Sequence, residues 1–168
     1  MEREKTVCFT GHRLIRGDKE ALYDQVVQQV KALAKAGAIS FLTGGAPGFD
    51  ALAAEAVLAV KETFPQVQLW VVLPFWRPYE VEGDWSEEEI ALHQWQNQQA
   101  DEVLALRESY GRGCYHQRDR YLVDHAAWCV YYQRKKTGGT AYTVSYAKQE
   151  GLSMHPVGLA SKKGELLS

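Results

Sequence analysis

The sequence predicts an α/β domain built on a parallel sheet with crossover helices, and three observations carry that prediction. Short apolar runs alternate with longer helical patterns from end to end of the 168 residues, which is the pattern of successive βαβ units. The apolar residues within the runs are nearly continuous, as strands covered on both faces require. Three of the runs lead into glycine-bearing turns: Thr10-Gly11-His12-Arg13, Thr43-Gly44-Gly45-Ala46-Pro47-Gly48-Phe49-Asp50 and Thr137-Gly138-Gly139-Thr140. A chain of this length with 46% apolar residues can build one ordinary core. Residues 1–158 are therefore expected to form a single domain, and 159–168 a polar tail.

The first strand covers residues 6–10. A helix should begin near Asp18, present Leu22, Val26, Val30 and Leu33 at helical spacing, and stop at Gly37, a favoured residue just past a helix end. Residues 38–43 form the second strand, and an alanine-rich helix runs from the glycine turn to about Lys61. After a third strand at 67–73, residues 74–85 make a connection that is long for an α/β crossover, and such loops often serve as lids or binding elements. Ser86-Glu87-Glu88-Glu89 reads as a capping box, which starts a helix reaching about Gln99. A strand at 102–106, a loop at 109–113 and a helix carrying Arg118, Arg120 and Asp124 follow. A strand at 128–132, a helix with Tyr142, Val144, Tyr146 and Ala147, and a weaker strand at 154–157 complete the order. Past Gly158 the chain is polar and aperiodic, and fraying is expected there.

The net charge of -2 and pI near 6.2 exclude a global basic field of the kind that drives non-specific nucleic-acid binding, although they leave a local basic patch open. Cys8, Cys114 and Cys129 are odd in number and far apart, and two of them fall in strands, where a free thiol behaves as a small buried hydrophobe. A reducing cytoplasm fits them best. The charged N-terminus lacks a signal-peptide apolar region, and no apolar run approaches a membrane span.

In an open parallel sheet, ligands bind outside the carboxyl ends of the strands, where strand order reverses. The glycine turns fall at such ends, as do Pro74 and Phe75. Gly44 and Gly45 would let the backbone approach a phosphate, Pro47 suits a first helical turn, and Asp50 either reaches ribose hydroxyls or caps free amides. Thr137-Gly138-Gly139-Thr140 could form a second phosphate cradle at a helix N-terminus, and the preceding Arg134, Lys135 and Lys136 either neutralise an anion or belong to a solvated hairpin-like loop. Arg13 could pair with a phosphate or carboxylate, or with a surface carboxylate. His12 reads first as a structural residue and only second as a catalyst. Arg118 and Arg120, two positions apart on a helix, point to different faces, so only one addresses the crevice. Phe75, Trp76, Tyr79 and Trp85 either stack on a base or pack at the edge of the core. Glu80, Glu82 and Asp84 are expected to be solvated, and Cys114 with His116 lacks the partner pair a zinc site needs.

Phe9-Thr10-Gly11-His12-Arg13, Thr43-Gly44-Gly45-Ala46-Pro47-Gly48-Phe49-Asp50, Arg118-Asp119-Arg120-Tyr121-Leu122-Val123-Asp124 and Gly138-Gly139-Thr140 together resemble the YpsA-like branch of the SLOG superfamily, found in Gram-positive bacteria and their prophages. The resemblance extends to about Val157. It implies a Rossmann-like three-layer α/β/α fold with a mostly parallel sheet, whose strand-end loops bind nucleotides or nucleotide derivatives such as ADP-ribose. The related LOG enzymes cleave an N-glycosidic bond with an arginine, matched here by Arg118, and a glutamate after the Gly-Thr turn. Here Thr143 or Ser145 stands in the region where that glutamate would fall, so hydrolysis of the LOG type is not expected. The related DNA-processing proteins need a positive surface that this chain lacks overall.

The resulting expectation is a cytoplasmic sensor or regulator for a phosphorylated nucleotide derivative resembling ADP-ribose or NAD. Its ligand-binding set is Gly11, His12 and Arg13; Thr43, Gly44, Gly45, Ala46, Gly48 and Asp50; Pro74 and Phe75; Arg118; and Gly138, Gly139 and Thr140. No catalytic residue, metal or obligatory cofactor is assigned. Nucleic acid and membrane are not expected as partners, and a homo-oligomer is left open. The alternatives are a nucleotide N-glycosidase using Asp50 or Asp124, and a single-stranded-DNA-binding or protein-interaction scaffold.

Overall fold

The computed structural model describes residues 1–158; the expected polar tail at 159–168 lies outside them. Six strands, β1 (Thr6–Gly11), β2 (Ser40–Thr43), β3 (Gln68–Leu73), β4 (Glu102–Ala105), β5 (Trp128–Tyr132) and β6 (Ser153–Pro156), form one sheet in the order β4-β3-β2-β1-β5-β6. Every neighbouring pair is parallel. The helices are α1 (Lys19–Lys35), α2 (Phe49–Lys61), the short α3 (Pro78–Glu82), α4 (Glu87–Gln99), α5 (Cys114–Asp124) and α6 (Gly139–Gln149). The chain lays β1 to β4 outward in one direction, and α5 then returns it to the free side of β1. Connections leaving β1 and β5 therefore diverge, which opens a crevice at their carboxyl ends.

Because successive strand side chains face opposite ways, Val7 and Phe9 point to one layer and Cys8 to the other, and all three are fully buried. The first layer joins Leu22, Val26 and Val30 of α1 to Leu52, Val57 and Val60 of α2. The second joins Leu122 and Val123 of α5 and Ala147 of α6 to Cys8 and Cys129. The result is the Rossmann-like α/β/α arrangement, with a sheet that is parallel throughout.

The local signals work as their chemistry requires. Asp18 caps α1 by accepting from the Ala21 amide, and the Ser86–Glu89 capping box is closed in both directions. The second strand starts at Ser40 rather than at Ala38, because the Ala38 amide is spent on Leu33 O in closing α1. Pro47 lies before α2 rather than in its first turn: Gly48 is the cap residue, and the Phe49 amide donates to His12 O. The 74–85 connection is not irregular throughout but contains α3, flanked by Arg77 and Gly83 in left-handed conformations. Cys8, Cys114 and Cys129 are free and buried. Among the described residues no helix is long and apolar enough to cross a membrane.

Candidate functional site

A crevice of about 730 Å³ opens at the carboxyl ends of β1, β2 and β5. It brings together Gly11, His12 and Arg13 after β1, Gly44, Gly45, Ala46 and Asp50 after β2, Pro74 after β3, Arg118 on α5, and Gly138, Gly139 and Thr140 at the start of α6. Three residues of the expected set lie outside it. Thr43 is buried in β2 with its hydroxyl unpartnered among the described residues. Gly48 faces a smaller neighbouring cavity. Phe75 is not a stacking surface: its ring is fully buried and edge-on to Tyr110 and Tyr115, so the core claims it. Trp76 is exposed and does not line the crevice.

The floor is organised by Arg118, whose side chain is only 11% exposed. Its Nη1 donates to Gly44 O at 2.5 Å and its Nε to Asp119 Oδ1 at 2.9 Å. Asp50 sits on the same loop and accepts from the Ala46 amide at 3.2 Å. A Cβ on Gly44 would come within 2.8 Å of both the Arg118 guanidinium and the Asp50 carboxylate. A Cβ on Gly45 would strike Leu73. The two glycines are thus demanded by the packing of the loop itself. Arg120, as its spacing requires, is turned away from Arg118, and its exposed guanidinium donates to Tyr142 Oη at 3.0 Å.

Burial pushes the Asp50 carboxyl up from 3.8 to about 6, against the opposing pull of Arg118 and the Ala46 amide. A raised carboxyl pKa means that folding takes up a proton. The stability carried by neutral Asp50 is fully present below about pH 4 and is lost as pH rises through about 6, a change of up to about 3 kcal/mol. Asp50→Asn, which stays neutral, is expected to gain on the wild type across this window. Urea unfolding in a pH series would read the difference, and a gap independent of pH would refute the assignment.

Arg13 does not stand free to meet an anion. Its guanidinium pairs with Glu82 at 2.5 Å and Asp84 at 3.4 Å, 5.5 Å above the Trp85 ring. Nor is Glu82 merely solvated. It also accepts from Trp85 Nε1 at 2.8 Å and Tyr115 Oη at 2.7 Å, so three segments of the crevice wall meet on one carboxylate. Burial and that carboxylate hold the Tyr115 phenol well above its ordinary pKa, which keeps it a donor. His12 ties two loops together: its Nε2 accepts from the Arg134 amide at 2.8 Å while its carbonyl receives Phe49. Burial, then Lys135 and Arg134, lower its pKa, consistent with a neutral ring held by structure.

The sequence reading passed over Tyr115, Asp119 and His93 as site residues. Tyr115 lies three positions before Arg118 on α5, so helical spacing alone placed it on the crevice side. His93 gave no such signal. It is buried on α4, donates from Nδ1 to Gly45 O at 2.9 Å and accepts at Nε2 from Asn97. Neighbouring carbonyls of the glycine loop are thereby held from two sides, Gly44 by Arg118 and Gly45 by His93. Among the described residues no three His, Cys, Asp or Glu side chains gather as metal ligands would.

Comparison with known proteins agrees with this architecture. The chain is similar to the UPF0398 protein BH1768 of Halalkalibacterium halodurans, 32% identical over 125 residues, which are 73% of this chain and 65% of that protein. It is also similar to the UPF0398 protein SERP1017 of Staphylococcus epidermidis, 25% identical over 136 residues, 75% of this chain and 71% of that one. The chain therefore spans only about two thirds of the length of these relatives. Among solved structures it resembles DNA processing protein A of Helicobacter pylori, described for its single-stranded DNA binding mode, with a TM-score of 0.66, 17% identity and coverage of 98% of this chain and 69% of that one. The same protein of Streptococcus pneumoniae gives 0.66 at 16% identity, covering 96% and 53%. The structural-genomics protein TM1055 gives 0.59 at 16% identity, covering 96% and 76%. At such identities the likeness is one of fold alone. The model of the YspA SLOG family matches residues 16–157, well over half of the chain, and the protein belongs to that family.

Proposed function

We propose that the protein binds a phosphorylated nucleotide derivative, of the ADP-ribose or NAD kind, in the crevice and acts as a cytoplasmic sensor or regulator. The observation that carries this reading is the start of α6. Gly138 and Gly139 open the helix with no capping side chain, and nothing lies within 4 Å of where a Cβ on either would sit. The first amides of a helix have no partner within it, and they carry the positive end of its dipole. An anion in the crevice meets those amides with Lys135 on the same wall. Arg118 supports binding indirectly, because it is committed to Gly44 and Asp119 and shapes the opposite wall. Asp50 stands where a ribose hydroxyl could donate to it.

Recognition rather than turnover is favoured because α6 offers no carboxylate after its Gly-Thr start. Thr143 instead donates its hydroxyl back to Gly139 O at 3.0 Å. DNA binding gains no support from fold likeness alone, and the net charge of -2 weighs against it.

Gly139→Asp separates binding from folding. The position has ordinary backbone angles and open space around it, and aspartate suits a helix N-terminus, but its carboxylate would occupy the anion's place. In a thermal-shift panel of ADP-ribose, NAD and AMP, at least one compound is expected to raise the melting temperature of the wild type by mass action. Gly139→Asp should melt like the wild type without ligand and show no shift. A panel without any shift, or a variant that responds like the wild type, would overturn the reading.

A further inference from the structure

Beside the crevice lies a second cavity of about 260 Å³, between α2, α4 and the chain leaving β1. The two are adjacent: Arg13, Gly45, Ala46 and Trp85 line both. By itself the smaller cavity falls below the roughly 300–1,000 Å³ of ordinary ligand pockets, which argues for an annexe of the crevice rather than an independent site. Its chemistry also differs from that of the crevice. Ile15, Pro47, Leu52 and Leu92 give it apolar walls, and Trp85 and His93 add aromatic ones. Its charged neighbours Lys19, Glu55 and Glu89 are exposed, and belong to the rim.

From this arrangement we infer that the second cavity is a base subsite for the far half of a dinucleotide whose near half occupies the crevice. The inference rests on the proposed nucleotide function and narrows its ligand to two nucleosides joined through phosphates. A flat, weakly polar ring matches apolar walls that carry two aromatic groups. The linking phosphates would pass Arg13, which stands at the junction with its guanidinium above Trp85. There Arg13 is held by Glu82 and by Asp84, whose side chain is 66% exposed. A phosphate there would take the place of the exposed Asp84 carboxylate, which Arg13 reaches only at 3.4 Å, while the Glu82 pair stays in place. A mononucleotide would leave the annexe empty and could not use it.

Calorimetric titration with NAD, AMP and nicotinamide mononucleotide tests this on the wild type and on Leu92→Trp. Leu92 is 36% exposed on α4 and lines the cavity, so the larger indole can fill the space without entering the core. Ala51→Leu, half-buried on α2 on the opposite wall, fills the same space should Leu92→Trp melt below the wild type. NAD is expected to bind at least about tenfold more tightly than either half, a gain of about 1.4 kcal/mol. The cavity-filling variant should lose that excess while keeping its affinity for the halves within about twofold. NAD binding no tighter than AMP, or an unchanged NAD affinity in both variants, would overturn the subsite and leave the proposed function standing. Absence of binding by all three compounds would overturn both.

Discussion

Replacing Gly48 by alanine is expected to lower the stability of the folded chain by about 4 kcal/mol. Gly48 has φ 81 and ψ -124, a conformation open to glycine and costly for any residue with a Cβ. The added methyl would also overlap the carbonyl of Arg13, with nowhere to go, because the obstacle is backbone. That backbone is itself fixed: the Phe49 amide next to Gly48 donates to His12 O, and the His12 ring holds Arg134. The three strand-end loops are therefore tied together at this glycine, and strain here spreads to the whole crevice. Gly139→Ala is the matched control, since a methyl at Gly139 meets nothing within 4 Å and alanine is the better helix former. Urea midpoints would show a large fall for Gly48→Ala and none for Gly139→Ala. Equal effects would mean that the loops yield independently.

This contrast also shows what the sequence could reveal. Gly48 and Gly139 look alike as letters in a glycine-rich turn, yet one is required by internal packing and the other leaves room for a ligand. The elements were legible because their causes are local: continuous apolar runs for the buried strands, Gly37 past the end of α1, and Ser86 with Glu89 at the start of α4. The position of the crevice followed from glycine turns placed after strands. The contents of its walls did not follow, because they depend on distant partners. Glu82 reads as one acid in a polar loop, and only the fold brings Arg13, Trp85 and Tyr115 onto it. Phe75, placed in the ligand-binding set with core packing as its other reading, takes the latter for the same reason, since a ring in a connection becomes core once α5 delivers Tyr115 to its edge. His93 lies on a helix with little amphipathic pattern, and its bond to Gly45 spans 48 residues.

Arg118→Met is expected to cost about 4 kcal/mol, because removing one partner of a buried ion pair leaves the other charge uncompensated. Here two carboxylates would be stranded, Asp119 and Asp50, and Gly44 O would lose its donor. Methionine fills much of the arginine volume, so the loss would report charge and hydrogen bonding rather than a cavity. Arg118→Lys should fall between, since an ammonium keeps the charge without the planar fork that serves Gly44 and Asp119 together. The effect also has a pH signature. Arg118 holds the Asp50 pKa down against burial, so in Arg118→Met that pKa should climb above about 6. The proton-linked loss of stability then moves to higher pH. Combining Arg118→Met with Asp50→Asn should cost less than the two changes summed, as expected when residues share one interaction. Additive costs would place Asp50 outside the reach of the guanidinium. A cost for Arg118→Met no greater than that of Arg120→Met, an exposed arginine on the same helix, would mean that the Arg118 guanidinium is hydrated in the crevice and free to meet a ligand directly.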